Sequence, residues 1–140
     1  MPVYPINQIF NFIIVFKNNY VILNNIVKAE KLLEHRQLFK TNDEKIVIIE
    51  MDLFKINDKK QFEHLPDGYK FSWIAYLDSD RDVRILFDSH PPKGPHYHID
   101  SDKEGVPFKW TGLSDMRRLF LDMIEKRFGP LIELDEGRAE

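Results

Sequence analysis

The sequence predicts an α+β domain, in which an antiparallel meander of four to five strands is covered by one carboxy-terminal helix. Apolar residues alternate along 45–57, 69–77 and 83–100, the pattern of half-buried strands. From Met116 to Phe128 the apolar residues recur instead at the spacing of an amphipathic helix. A chain of 140 residues, 43% of them hydrophobic, is long enough for one domain with a real core.

Composition limits the class of protein. The chain has no cysteine, which excludes a disulfide framework and a thiolate metal site and is typical of a reducing cytoplasm. Its formal net charge of −3 gives no global basic field that would attract nucleic acid. Any RNA binding must therefore depend on a local patch.

The first 26 residues differ from the rest, with no acidic residue and one lysine. A signal peptide needs a basic start, but Lys17 follows the apolar run. A membrane span is interrupted by asparagines and by Lys17. We favour a spurious extension caused by a misplaced start, with an accessory strand or helix as the alternative. The predicted domain is 27–134, followed by an acidic tail at 135–140.

The elements follow in order. Val27–Phe39 is ambiguous, because its apolar spacing is helical but the run is short and leads into a turn. Lys45–Asn57 is rich in β-branched residues and predicts a strand. After a polar loop ending in Pro66-Asp67-Gly68, Tyr69–Leu77 predicts the next strand. A tight connection at 78–81 then leads into the stretch that carries most of the chemistry.

That stretch runs from residue 84 to residue 100. Val83, Ile85 and Phe87 occupy one parity before a proline-glycine loop, and Tyr97 and Ile99 occupy one parity after it. If these apolar parities face the core, the polar ones share the exposed face. The predicted patch consists of Arg84, Asp88, His90, His96, His98 and Asp100.

His96-Tyr97-His98 is the sharpest feature of this patch. Strand residues two apart lie about 6.5–7 Å apart on one face. Two imidazoles there can act as general base and acid, since the unperturbed pKa of histidine, near 6.5, keeps both protonation states available. They can instead bind a metal with His90 or Asp88 as third ligand, or be exposed residues without a role. We favour catalysis.

Three cations are further candidates. Lys93, on the stiff Pro-Pro-Lys-Gly-Pro loop, can reach a phosphate, although loop statistics alone favour a solvated lysine. Arg117 and Arg118 follow the predicted N-cap Ser114, where positive charge costs about 0.3–1 kcal/mol. Their position indicates a bound anion or a partner, or a solvated helix face. Gly129-Pro130 ends the helix.

Several motifs together resemble the TumE family of small toxin–antitoxin proteins, over about residues 27–130. The family pattern runs Tyr-Asp-Asn, Lys-Gly-x-His-x-His, a Pro-Tyr-x-Phe element and a leucine-rich final helix. The matching segments are Val27–Leu33, Phe87-Asp88-Ser89, Lys93–Ile99, Pro107–Trp110 and Leu113–Phe128. The chain departs from the pattern at Phe87, Ser89 and Phe108, each of which lacks a polar group of the family residue.

The resemblance implies a cytoplasmic toxin of a type II toxin–antitoxin system, partnered by a helix-turn-helix antitoxin. It also favours a first strand at Val27–Phe39, hairpinned to the second. We expect a ribonuclease without metal or cofactor and without a membrane role, in which His96 and His98 serve as base and acid. Lys93 and Arg84 would stabilise the phosphorane charge, and Asp88 would orient a histidine. His90, Arg117 and Arg118 complete the predicted substrate contacts.

Two other classes remain open. One is a non-enzymatic interaction protein that binds a partner through the polar face of the sheet. The other is a metal-dependent hydrolase.

Overall fold

The computed structural model describes residues 19–23, 27–56, 65–90 and 93–134, with side chains described from Glu30 onward. A short 3-10 turn at Pro66–Gly68 confirms the turn predicted there. The elements are β1 Asn19–Leu23, β2 Val27–Lys40, β3 Ile46–Ile56, β4 Tyr69–Leu77, β5 Asp80–His90, β6 Gly94–Ile99, β7 Val106–Pro107, α1 Leu113–Phe128 and β8 Ile132–Glu133.

The strands form one antiparallel sheet in chain order from β1 to β7, and β8 pairs with β2. The α+β class with an antiparallel sheet and one helix is confirmed. The meander has seven strands rather than the predicted four to five. The sheet also includes β8, outside the meander, and both β7 and β8 are two residues long and too short to show any periodicity.

The ambiguous segment 27–39 is a strand, as the family resemblance implies. β2 pairs with β3 from Ala29 to Lys40, with a register shift between Lys31 and Leu33. Such a bulge changes the phase of the alternation along a strand. Leu32 and Leu33 therefore both pack against the core, which gives the sequence its helix-like spacing.

The core lies between one face of the sheet and α1. The alternating residues of β3 and β4 lie in this core, and the predicted inward positions of Ile85 and Phe87 in β5 are confirmed. The residues of β3 and β4 are Val47, Ile49, Met51, Leu53, Phe71, Trp73, Ala75 and Leu77. Met116, Phe120, Leu121 and Ile124 form the buried face of the helix. No helix in the described ranges is both long and apolar enough to cross a membrane.

Both ends of α1 are set by glycine. The N-cap is Gly112, with φ 117° and no side-chain cap, so the predicted N-cap Ser114 lies inside the helix. At the other end Gly129, with φ 79°, donates its N–H to the Glu125 carbonyl at 2.8 Å, which confirms the predicted stop.

The face away from α1 is not uniformly polar. Ile48, Ile74 and Tyr76 are buried there in a second, smaller apolar cluster. Ile74 and Tyr76 lie on the parity of β4 opposite the core residues and are nevertheless buried. The Tyr76 hydroxyl donates to Glu50 Oε1 at 3.0 Å. Burial and the Glu50 carboxylate raise the pKa of Tyr76, so this hydroxyl keeps its proton at neutral pH.

The first 26 residues, which differ in composition from the rest of the chain, contribute one strand to the sheet. Residues 19–23 form β1, which pairs with residues 27–31 of β2. Residues 1–18 and 24–26, like the acidic tail 135–140, lie outside the described residues. The boundary at residue 27 therefore stays a prediction.

Candidate functional site

The pairing of β5 with β6 places the histidines. Asp88 lies opposite His96, and Leu86 lies opposite His98. Directly opposed residues of paired strands share a face of the sheet. The intervening pair, Phe87 and Tyr97, stacks on the core side with ring centroids 5.6 Å apart. Asp88, His96 and His98 therefore share the face away from α1, here called the histidine face.

The two imidazoles are in contact and fixed by the backbone. Their ring centroids are 4.9 Å apart, with the planes at 81°. His96 Nδ1 lies 2.7 Å from the Gly94 carbonyl oxygen, and His98 Nδ1 lies 2.8 Å from that of Asp102. Since a carbonyl only accepts, each Nδ1 carries the hydrogen and donates it. Each neutral ring then has its lone pair on Nε2.

The prediction that both histidines face solvent is wrong for His96, which is 4% exposed. His98 is half-buried. The loop 100–105 passes over both rings. A Cβ on Gly105 would lie 3.0 Å from His96 Cδ2 and 2.9 Å from His98 Cε1. The Lys93 ammonium donates to the Glu104 carbonyl at 3.0 Å and so holds this loop.

This contact makes Gly105→Ala a test of the loop's position. The substitution adds a methyl group against both rings, at a residue with φ 78°. Positive φ alone costs a side chain about 1–2 kcal/mol. Gly129→Ala is the control for the imidazole signals, because no heavy atom lies within 4 Å of the added Cβ, whereas its cost in stability comes from a backbone at φ 79° and ψ −170° that almost only glycine adopts.

We expect Gly105→Ala to lower the free energy of unfolding in urea and to shift the imidazole NMR signals, since both rings must move. Gly129→Ala should leave the imidazole signals unchanged, whatever it costs in stability. Unchanged imidazole signals in Gly105→Ala would show that the loop does not cover the rings.

Among the described residues Asp88 makes no hydrogen bond to a histidine, so its predicted orienting role is not seen. It is half-buried opposite His96, but the Nδ1 atoms are held by the carbonyls of Gly94 and Asp102. These backbone groups were missed because sequence patterns single out side chains. The predicted contact His90 is exposed at the end of β5, opposite Gly94.

Arg84 lies on the histidine face with its side chain half-buried. Its Nε is buried and has no hydrogen-bond partner in the described part of the chain. A buried guanidinium donor without an acceptor is costly, and an anion is a group that can satisfy it. This placement is compatible with the predicted contact to phosphate.

Asp100 stabilises the fold through its hydrogen bonds and is not part of the predicted polar patch. Its Oδ1 accepts from the Arg84 backbone N–H at 3.0 Å and from Arg127 Nε at 3.2 Å. Its Oδ2 accepts from Arg127 Nη2, also at 3.2 Å. This two-pronged contact ties the end of β6 to the last turn of α1. Ile99, predicted to be buried, is 41% exposed on this outer part of the sheet.

Arg117 and Arg118 do not join the histidines. Both belong to α1, which packs on the opposite face of the sheet. Arg118 is exposed and lies 3.9 Å from Asp115 Oδ1 through its Nη1. Arg117 lines a cavity beside the core. The prediction that these arginines share a site with His96 and His98 is therefore wrong.

In the part of the chain that the structure describes, no three side chains among His, Asp and Glu are placed to hold a metal ion. The alternative with His90 or Asp88 as third ligand is thus not assembled there. Compared with family models, with curated proteins and with solved structures, the chain gives no match. The likeness to the TumE family remains a resemblance of motifs.

Proposed function

We propose that this chain is the toxin of a type II toxin–antitoxin pair and that it cleaves RNA without a metal, through His98. The observation that carries the proposal is the hydrogen bond from His98 Nδ1 to the Asp102 carbonyl, 2.8 Å long. It fixes the tautomer and leaves Nε2 of a half-buried ring as a base. Both the cytoplasmic location and the helix-turn-helix antitoxin partner rest on the family resemblance.

The roles we propose for the two histidines differ from the predicted pair of one base and one acid. Because their ring centroids are 4.9 Å apart and the rings touch, a phosphodiester does not fit between them. We therefore assign the contact with RNA to His98. His96, buried beneath the loop, is a positioning residue whose ring supports that of His98.

The reaction is a transphosphorylation. His98 Nε2 takes the proton of a ribose 2′-hydroxyl, and the 2′-oxygen bonds to phosphorus. The P–O5′ bond breaks, and the protonated His98 returns the proton to the leaving 5′-oxygen. The products are a 2′,3′-cyclic phosphate and a 5′-hydroxyl. Arg84, and the Lys93 hydrogens not used by Glu104, would stabilise the charge on phosphorus.

Purified full-length protein incubated with RNA in EDTA tests the proposal. We expect cleavage that leaves 2′,3′-cyclic phosphate and 5′-hydroxyl ends, because neither step needs a metal. Cleavage that EDTA abolishes and manganese restores would instead support a metal-dependent hydrolase. Absence of cleavage under both conditions would reject the ribonuclease.

A second function is favoured by one observation. Both Nδ1 atoms are hydrogen-bonded to backbone carbonyls, and His96 is 4% exposed. A structural role in the fold is therefore enough to explain the two histidines, without a catalytic one. The chain would then be a non-enzymatic interaction protein that binds a partner through the histidine face. Growth arrest or antitoxin binding without RNA cleavage would favour this function.

A further inference from the structure

A cavity of about 210 Å³ lies on the core side of the sheet, beside the start of α1. It is separated from the histidine face by the sheet itself. Its walls include apolar side chains of β2, β3 and β4 and polar ones of the helix. They are Leu33, Met51, Leu53, Trp73, Ser114 and Arg117.

Two residues that line this cavity carry nitrogen donors without a hydrogen-bond partner among the described residues. Trp73 is 3% exposed, and its indole Nε1 is buried without a hydrogen-bond acceptor. Buried polar groups in folded proteins are nearly always satisfied, so an unpaired indole N–H calls for an explanation. Arg117 makes no ion pair or hydrogen bond with the described residues, unlike its neighbour Arg118, which lies near Asp115.

The start of α1 adds to the positive potential. Its N-cap is Gly112 and no side chain caps the first turn, while the Asp115 carboxylate in that turn lies 3.9 Å from Arg118 and offsets only part of the field. The amide groups of a helix's first turn attract anions. The positive potential at the start of α1 also repels the charge of Arg117. A bound anion would relieve that repulsion. None of the wall residues named above has a carboxylate or carboxamide side chain.

We infer that this cavity binds a small carboxylate with a short apolar body. The carboxylate would meet Arg117 and accept from the Trp73 indole N–H, and the apolar body would lie against Leu33, Met51 and Leu53. The volume is below the roughly 300–1,000 Å³ of pockets that hold drug-sized ligands, which limits the ligand to a small molecule. This site is independent of the ribonuclease proposal.

Titration with hexanoate, followed by ¹H–¹⁵N NMR of the full chain, tests the inference. The indole N–H of Trp73 is the reporter, and that of Trp110, bonded to Asp67 Oδ2 at 2.8 Å, is the internal control. We expect a saturable shift of the Trp73 signal with little change at Trp110. Hexanol, which has the same apolar chain without the charge, should produce a much weaker response.

Matched variants identify the anion contact. Arg117→Gln should weaken hexanoate binding about tenfold or more, because a charge-assisted pair is lost. Arg118→Gln, which removes the same charge from an exposed side chain, should leave binding within about twofold. Absence of a saturable shift at Trp73, or equal affinity of Arg117→Gln and the parent, would overturn the inference.

Discussion

His98→Ala is expected to lower RNA cleavage by about 10²–10⁴-fold, the range typical of losing a general base, and to abolish growth arrest on expression. The ring is half-buried and makes one hydrogen bond, to the Asp102 carbonyl. Loss of such a bond costs about 0.5–1.5 kcal/mol, so the protein should still fold. Rates of RNA cleavage with purified protein, and growth curves after induction, measure the effect.

Two variants separate chemistry from structure. His98→Asn places an amide N–H where Nδ1 now donates to the Asp102 carbonyl, and it supplies no base. It should be as inactive as His98→Ala while keeping the loop in place. His90→Ala removes an exposed imidazole at the end of β5 and should retain most of the activity. If His98→Asn arrested growth like the parent, His98 would not be the base.

Because His96 is buried, we expect its replacement to affect folding, unlike that of an exposed histidine. An exposed His96 could be replaced with little effect on folding, within about 0.5 kcal/mol. At 4% exposure, with its Nδ1 bonded to Gly94, His96→Ala should destabilise the domain as well as lower activity.

Phe120→Ala is expected to cost about 3–5 kcal/mol of folding free energy, the largest stability effect we predict. Phe120 is 0% exposed, and its ring centroid lies 5.2 Å from that of Phe87 and 5.5 Å from that of Trp73. Removing the ring leaves a cavity between the helix and the centre of the sheet. Because domains are stable by about 5–15 kcal/mol, urea denaturation should show a much earlier midpoint.

Leu119→Ala is the control for Phe120. Leu119 is the next residue toward the helix start but is only partly buried against the core. It should cost less than half as much as Phe120→Ala, because the site is open to solvent and collapses more readily. Equal costs would mean that α1 packs on the sheet through a different face.

The strands with regular alternation were predictable, and the reason is physical. On β3 and β4 every second residue packs against α1 in the main core, and this gives their apolar residues a period of two, although Ile48, Ile74 and Tyr76 on the other face are buried as well. β2 obscures this period at the shift between Lys31 and Leu33. The two residues of β7 are held by pairing with His96 and Tyr97, a contact between distant segments that local sequence does not reveal.

The candidate site was predictable in part. The alternation of apolar and polar residues along β5 and β6 can be read from the local sequence, and it correctly placed Asp88, His96 and His98 on one face of the sheet. The burial of His96 was not predictable, since it depends on the path of a loop that begins at Asp100 with φ 55° and ends at Gly105 with φ 78°. The separation of Arg117 from the histidines could have been deduced. A helix that covers the apolar parity must lie opposite the polar one.

The position of β1 and β8 also bears on self-association. Both lie along the outer edge of β2: β1 pairs with Val27–Lys31, and β8 pairs with Phe39 and Lys40. An uncovered strand of this length would present a row of free N–H and C=O groups, a template on which other chains can add as strands. Shortening the protein from either side would therefore expose part of this template, and the first symptom would be aggregation rather than unfolding.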